Sequence, residues 1–253
     1  MSFQETVILG AIAGLTIFLG LPLARVRVVA PRHLAFLNAL AIGILFFLFV
    51  DIVEHAIAPV EQAIRTDPSR VALLVGALVG GFGVGLLSLV YYMRRVSMGP
   101  GFTATHLAVV IATGIGLHNF SEGLAIGSSA QRGELTLALT LVVGFGLHNI
   151  TEAFGIAAPL AGVAKRPSWA LLGLVGLIGG GPNFVGAIVG YTFASPLLSV
   201  LFLALAAGAL VFVIGELFAA GRRLTSPLWN GWGIGVGFLA GLLTDLILIG
   251  VGA

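Results

Sequence analysis

The chain has 253 residues, of which 58% are hydrophobic and only 9% charged, and a water-soluble domain of this size cannot manage with so little polar surface. The sequence therefore reads as an all-α integral membrane protein whose first partner is the lipid bilayer. It contains no Cys, which excludes disulfides, thiolate metal clusters and thiol catalysis and leaves any metal to N and O ligands; the net charge of +2 comes from basic residues sorted by loop, so nucleic acid is not an expected partner.

The start, "MSFQE", is acidic and is followed by an apolar run from Val7 to Ala24. A cleaved signal peptide would open on basic residues, so this run is predicted to be a retained first helix. Apolar stretches of about 20 residues, the length that crosses a hydrocarbon core, fall at 6–24, 34–57, 70–93, 103–129, 135–162, 168–193, 196–221 and 230–251. The sequence thus predicts eight transmembrane helices. The connections are short ("RVRVVAPRH", "EQAIRTDPSR", "RRVSMGPG", "QRGE", "KRPS", "SP", "GRRLTSPLWN") and carry the Pro, Gly and charged residues of turns, so residues 1–253 are expected to form a single transmembrane domain. The 37 Gly residues predict close helix packing, because in lipid small residues let backbones approach.

Short basic loops stay cytoplasmic. Arg25, Arg27, Arg32, Arg94, Arg95, Lys165, Arg166, Arg222 and Arg223 lie in the connections after spans one, three, five and seven, while Arg65, Arg70 and Arg132 lie in the others beside Glu61, Asp67 and Glu134. Both termini are then extracellular, in a multi-pass protein of the cytoplasmic (inner) membrane.

In span two, Asp51, Glu54 and His55 cluster near the outer end, with Asp51 and His55 four residues apart on one face. They read either as an outer mouth that concentrates cations or as a solvated helix end. Spans four and five carry the main signal. "GIGLHNFSEG" (114–123) is followed thirty residues later by "GFGLHNITEA" (144–153). Each places a His and a Glu four apart, His118 with Glu122 and His148 with Glu152, so each pair points one imidazole and one carboxylate the same way. On consecutive antiparallel helices the repeat implies local two-fold symmetry about an axis in the membrane plane, the geometry that puts transport sites at mid-depth.

Ionisable groups at a bilayer centre cost at least about 2.5 to 3.5 kcal/mol each on insertion scales, and a divalent cation would offset that. Without one, burial favours the neutral carboxyl, which predicts metal binding coupled to proton release. Two imidazoles and two carboxylates suit Zn²⁺ as the transported substrate, with Fe²⁺, Mn²⁺ or Cd²⁺ also possible partners of such a set. The alternative is an intramembrane metal-dependent hydrolase with an activated water, but the zincin pattern of two His flanking a base Glu is missing; the chain is not expected to be an enzyme. It has no Gly-rich phosphate loop and so does not drive transport with ATP itself.

"HNFSEG" and "HNITEA" resemble the paired signatures of helices four and five in the ZIP family of divalent metal transporters, most closely its bacterial GufA-type members. The resemblance implies a ZIP-like bundle with kinked central helices four and five, a homodimer, and a transport site lined by His118, Glu122, His148 and Glu152 with Asn119 contributing. A second metal would draw on Glu122, Glu152 and the amides of Asn119 and Asn149. Where many members have Pro in the fourth motif position this chain has Ser121 and Thr151, where they have Gly after the second Glu it has Ala153, and where two-metal members carry an acidic residue before the Pro of helix six it has Gly181 before Pro182. Ser and Thr bend a helix less than Pro, so gentler kinks are expected.

Further along, Pro159 is predicted to bend span five. Asn183, in the Gly-rich span six, reads either as lining the route or as a packing residue. Glu216 near the inner end of span seven is an exit-path ligand or a side chain reaching toward Arg222 and Arg223; Asp245 in span eight has no sequence-level explanation, and His33 and His106 read as interfacial.

Overall fold

The computed structural model describes residues 1–26, 30–97, 103–133, 135–161, 163, 165–193, 195–221 and 227–250, and almost all of these are helical, with no strand among them. Arg27, Glu134, Arg222 and Arg223 lie outside the described residues. In chain order the helices are α1 (Phe3–Leu15), α2 (Ile17–Gly20), α3 (Pro31–Thr66), α4 (Val71–Ser97), α5 (Ala104–Gln131), α6 (Leu135–Ala157), α7 (Trp169–Thr192), α8 (Pro196–Gly221) and α9 (Pro227–Gly250).

Seven helical segments among the described residues are long and apolar enough to cross a membrane: Phe3–Arg25, Pro31–Thr66, Pro68–Arg95, Ala104–Gln131, Leu135–Leu160, Trp169–Thr192 and Pro196–Ala219. The eighth predicted segment forms α9, which packs along α3.

Three boundaries differ from the sequence reading. The first span is not one helix: α1 ends at Leu15, Thr16 turns its hydroxyl back to the Ala13 carbonyl (2.7 Å), and the chain continues through α2 into a 3₁₀ turn at Leu21–Arg25 that takes in Pro22. Glu61 to Thr66, expected in a connection, extend α3 to 36 residues, a rod of about 54 Å that outruns a hydrocarbon core of about 30 Å. Val60 and Ala63 on this extension pack against Leu74 of α4 and Val200 of α8, so the extra turns are held by tertiary contact. Pro159 does not bend a continuing helix; α6 ends at Ala157 and a 3₁₀ turn, Ala158–Leu160, closes it.

Two sets of helices pack mainly among themselves, α3, α4, α8 and α9 on one side and α1, α2, α5, α6 and α7 on the other, with α5 against α8 joining them. The most extensive contact is α5 on α7, and its cause is legible atom by atom. A Cβ on Gly123 would overlap the Asn183 carbonyl oxygen, and one on Gly186 would overlap the Phe120 carbonyl oxygen, so the two backbones touch where glycine faces them. Toward the start of α5 the interior is aliphatic: Ile111, Ile115 and Ile156 are fully buried, and Ile17 and Val175 join them in one cluster.

Candidate metal centre

Of the seven segments α5 is the most enclosed and the least apolar. The two properties belong together, because a helix surrounded by protein can carry polar side chains that lipid would reject. Its partner α6 follows after a tight turn in which Gly133 has φ 79°, the left-handed backbone that glycine adopts without strain. His118 lies thirteen residues before Gln131, the last of α5, and His148 thirteen after Leu135, the first of α6. Both imidazoles therefore sit about 20 Å below the turn. Glu122 is one helical turn nearer the turn and Glu152 one turn farther, so His118 comes between the two carboxylates.

The contacts follow that order. His118 Nε2 is 3.2 Å from Glu122 Oε1 and 3.5 Å from Glu152 Oε1. Asn119 Nδ2 donates to Asn149 Oδ1 and to the Gly179 carbonyl (3.0 Å), Asn149 Nδ2 donates to the Ala13 carbonyl (3.0 Å) and approaches Glu122 Oε2 at 3.5 Å, and Asn183 Nδ2 donates to Glu122 Oε2 at 3.1 Å. These six side chains and that of His148 are all buried. Ser121 and Thr151 donate to the Leu117 (3.4 Å) and His148 (2.7 Å) carbonyls, and the helices run unbroken through both motifs.

The two motifs are not equivalent. His118 pairs with the carboxylate on its own helix and with the one across from it, but His148 makes no ion pair with Glu152 among the described contacts; its ring lies 6.3 Å, centroid to centroid, from that of Phe47 on α3. The two His–Glu pairs are placed differently: Glu152 faces His118 across the helices, while His148 lies beside Phe47 of α3.

These side chains leave many polar atoms over. Both ring nitrogens of His118 and of His148, Glu122 Oε1, both carboxylate oxygens of Glu152, and the side-chain oxygens of Asn119 and Asn183 are buried without a hydrogen-bond partner. The His118–Glu contacts are short in distance yet not aligned as hydrogen bonds. A neutral imidazole has one lone pair and one N–H, so the set offers one acceptor from each ring together with the carboxylate and amide oxygens, and such acceptors suit a cation, which takes lone pairs and needs no donated hydrogen. Two donors about 2.0 to 2.1 Å from a tetrahedral ion stand roughly 3.4 Å apart, close to the two His118 separations. Among the described residues no three His, Asp or Glu side chains stand as a complete metal-holding group; the nearest approach is His118 with Glu122 and Glu152.

Outside this centre, His55 Nδ1 lies 3.4 Å from Asp51 Oδ1 and 2.9 Å from the Asp51 carbonyl oxygen, and Glu54 is exposed. Asp245 is half-buried on α9, the helix that packs along α3. Glu216 on α8 is half-buried, without a hydrogen bond or ion pair among the described residues. His33 is exposed and edge-on to Trp229, and exposed His106 helps cap α5 through Thr103. Asn183 is the site residue the sequence left undecided, since an Asn within a Gly run reads equally well as packing. No protein-family model matches the chain, and no curated protein matches it.

Proposed function

We propose that the chain carries divalent transition-metal cations, zinc foremost, across the cytoplasmic membrane, as a ZIP-like transporter with eight crossing helices, both termini outside, working as a homodimer. The observation that supports this reading most is the meeting of His118 Nε2 with Glu122 Oε1 and Glu152 Oε1, all buried and without hydrogen-bond partners, with the unpartnered imidazole of His148 on the neighbouring helix. A set of this kind is costly in a membrane interior unless a cation compensates it. The imidazole and carboxylate donors match zinc's preference and admit Fe²⁺, Mn²⁺ and Cd²⁺. Asp51, Glu54 and His55 form the outer approach and Glu216 stands on the exit side.

The test is uptake of radioactive zinc by proteoliposomes. Wild-type protein is expected to fill the lumen, and a His118→Ala, Glu152→Gln double variant to fall to the level of protein-free vesicles. Equal flux in the two proteins would overturn the proposal, and absence of wild-type flux would return attention to a hydrolase.

A further inference from the structure

Glu122 is held differently from Glu152. Its Oε2 accepts from Asn183 Nδ2 at 3.1 Å and is approached by Asn149 Nδ2 at 3.5 Å, while its Oε1 faces His118 Nε2 at 3.2 Å. Two amide donors therefore face one oxygen, and their hydrogens lie where a second cation would have to sit to bridge that oxygen. Neither donor can easily leave. Asn149 is also tied to the Ala13 carbonyl, and Asn183 belongs to the stretch of α7 whose backbone meets Gly123. Asn183 is itself fully buried; its helix passes through Pro182, whose ring would be met by a Cβ at Gly116, so α5 holds α7 on both sides of the amide.

We propose that Asn183 is a positioning residue which makes Glu122 a one-oxygen ligand and the site mononuclear: a single divalent cation on the His118, Glu122 Oε1 and Glu152 side, with amide N–H groups filling the place of a second ion. The proposal rests on the metal-transport reading. Charge agrees with it, since two carboxylates neutralise one divalent ion, and Asp51 on α3 is partly exposed and engaged by His55. An uncompensated second dication in a low-dielectric interior would be costly.

The experiment is zinc binding to purified full-length protein in lipid nanodiscs, by titration calorimetry with zinc alone as ligand, together with X-ray absorption at the zinc edge. Wild-type protein is expected to bind one equivalent, with no metal–metal vector at about 3.5 to 4 Å, and the binding is expected to vanish in Glu152→Gln. Asn183→Asp, nearly the same shape, replaces the amide donor with a third carboxylate; it is expected to take up a second equivalent and to show that vector. Asn183→Leu is expected to weaken the single site about tenfold, and Asn183→Asp carries the test alone if the Leu variant does not fold. Two equivalents in the wild type, or one in Asn183→Asp, would overturn the proposal while leaving metal transport intact. No zinc bound by the wild type would sink both.

Discussion

His118 and His148 occupy matching places in a repeated motif and yet differ in what they touch. His118 lies between two carboxylates, and His148 lies against Phe47. His118→Ala is therefore expected to weaken zinc binding at least tenfold more than His148→Ala, a comparison for titration calorimetry; equal losses would mean that the two imidazoles share the ion evenly. Asn149 acts differently, donating to the Ala13 carbonyl of α1. Asn149→Ala removes one of two hydrogen bonds to that carbonyl and leaves it the Thr16 hydroxyl, a loss of about 0.5 to 1.5 kcal/mol that should lower the melting temperature even with zinc absent. The motif residues were legible in the sequence because a His and a Glu inside an apolar run are expensive, and their repetition is hard to explain without a ligand. Asn183 was not, because its role arises from a contact across sixty-one positions, and a lone Asn among glycines carries no periodicity that would reveal it.

Among the elements, the interface of α5 with α7 depends on missing side chains. Gly123→Ala would place a methyl group against the Asn183 carbonyl, forcing the helices apart or the backbone to shift, which costs about 1 to 3 kcal/mol in a packed interior and displaces the amide that holds Glu122. Both thermal stability and zinc affinity are expected to fall. Gly215 on α8 has open space where its Cβ would be, so Gly215→Ala serves as the contrast and is expected to change neither. The helices themselves were legible from apolar runs; their ends were not. Hydropathy does not register that α3 runs on to Thr66, because Glu61, Gln62 and Arg65 look like a connection; those turns are helical because Val60 and Ala63 pack on α4 and α8. Likewise an apolar run hides the break at Thr16, where a hydroxyl satisfied by the Ala13 carbonyl is compatible with crossing in segments.

For the whole molecule, the orientation inferred from basic loops is open to direct measurement, because the native chain has no Cys to confuse labelling. A single Cys at Ser2 is expected to react with a membrane-impermeant maleimide in intact cells, and one at Lys165 only after permeabilisation; the reverse pattern would invert the topology. Within the bundle, the C-terminal end of the first span is fastened to the start of α7, where Arg25 donates to the Pro167 carbonyl and lies over the Trp169 ring, 4.6 Å from its centroid. The turn at Gly133 reaches further than its size suggests. Because it is the common origin from which both imidazoles are measured off, it works as a ruler: a residue added just after it must either loop out at the surface or rotate the rest of α6 by about 100°, carrying Glu152 away from His118 on the facing helix. The spot should accept changes of letter far more readily than changes of length.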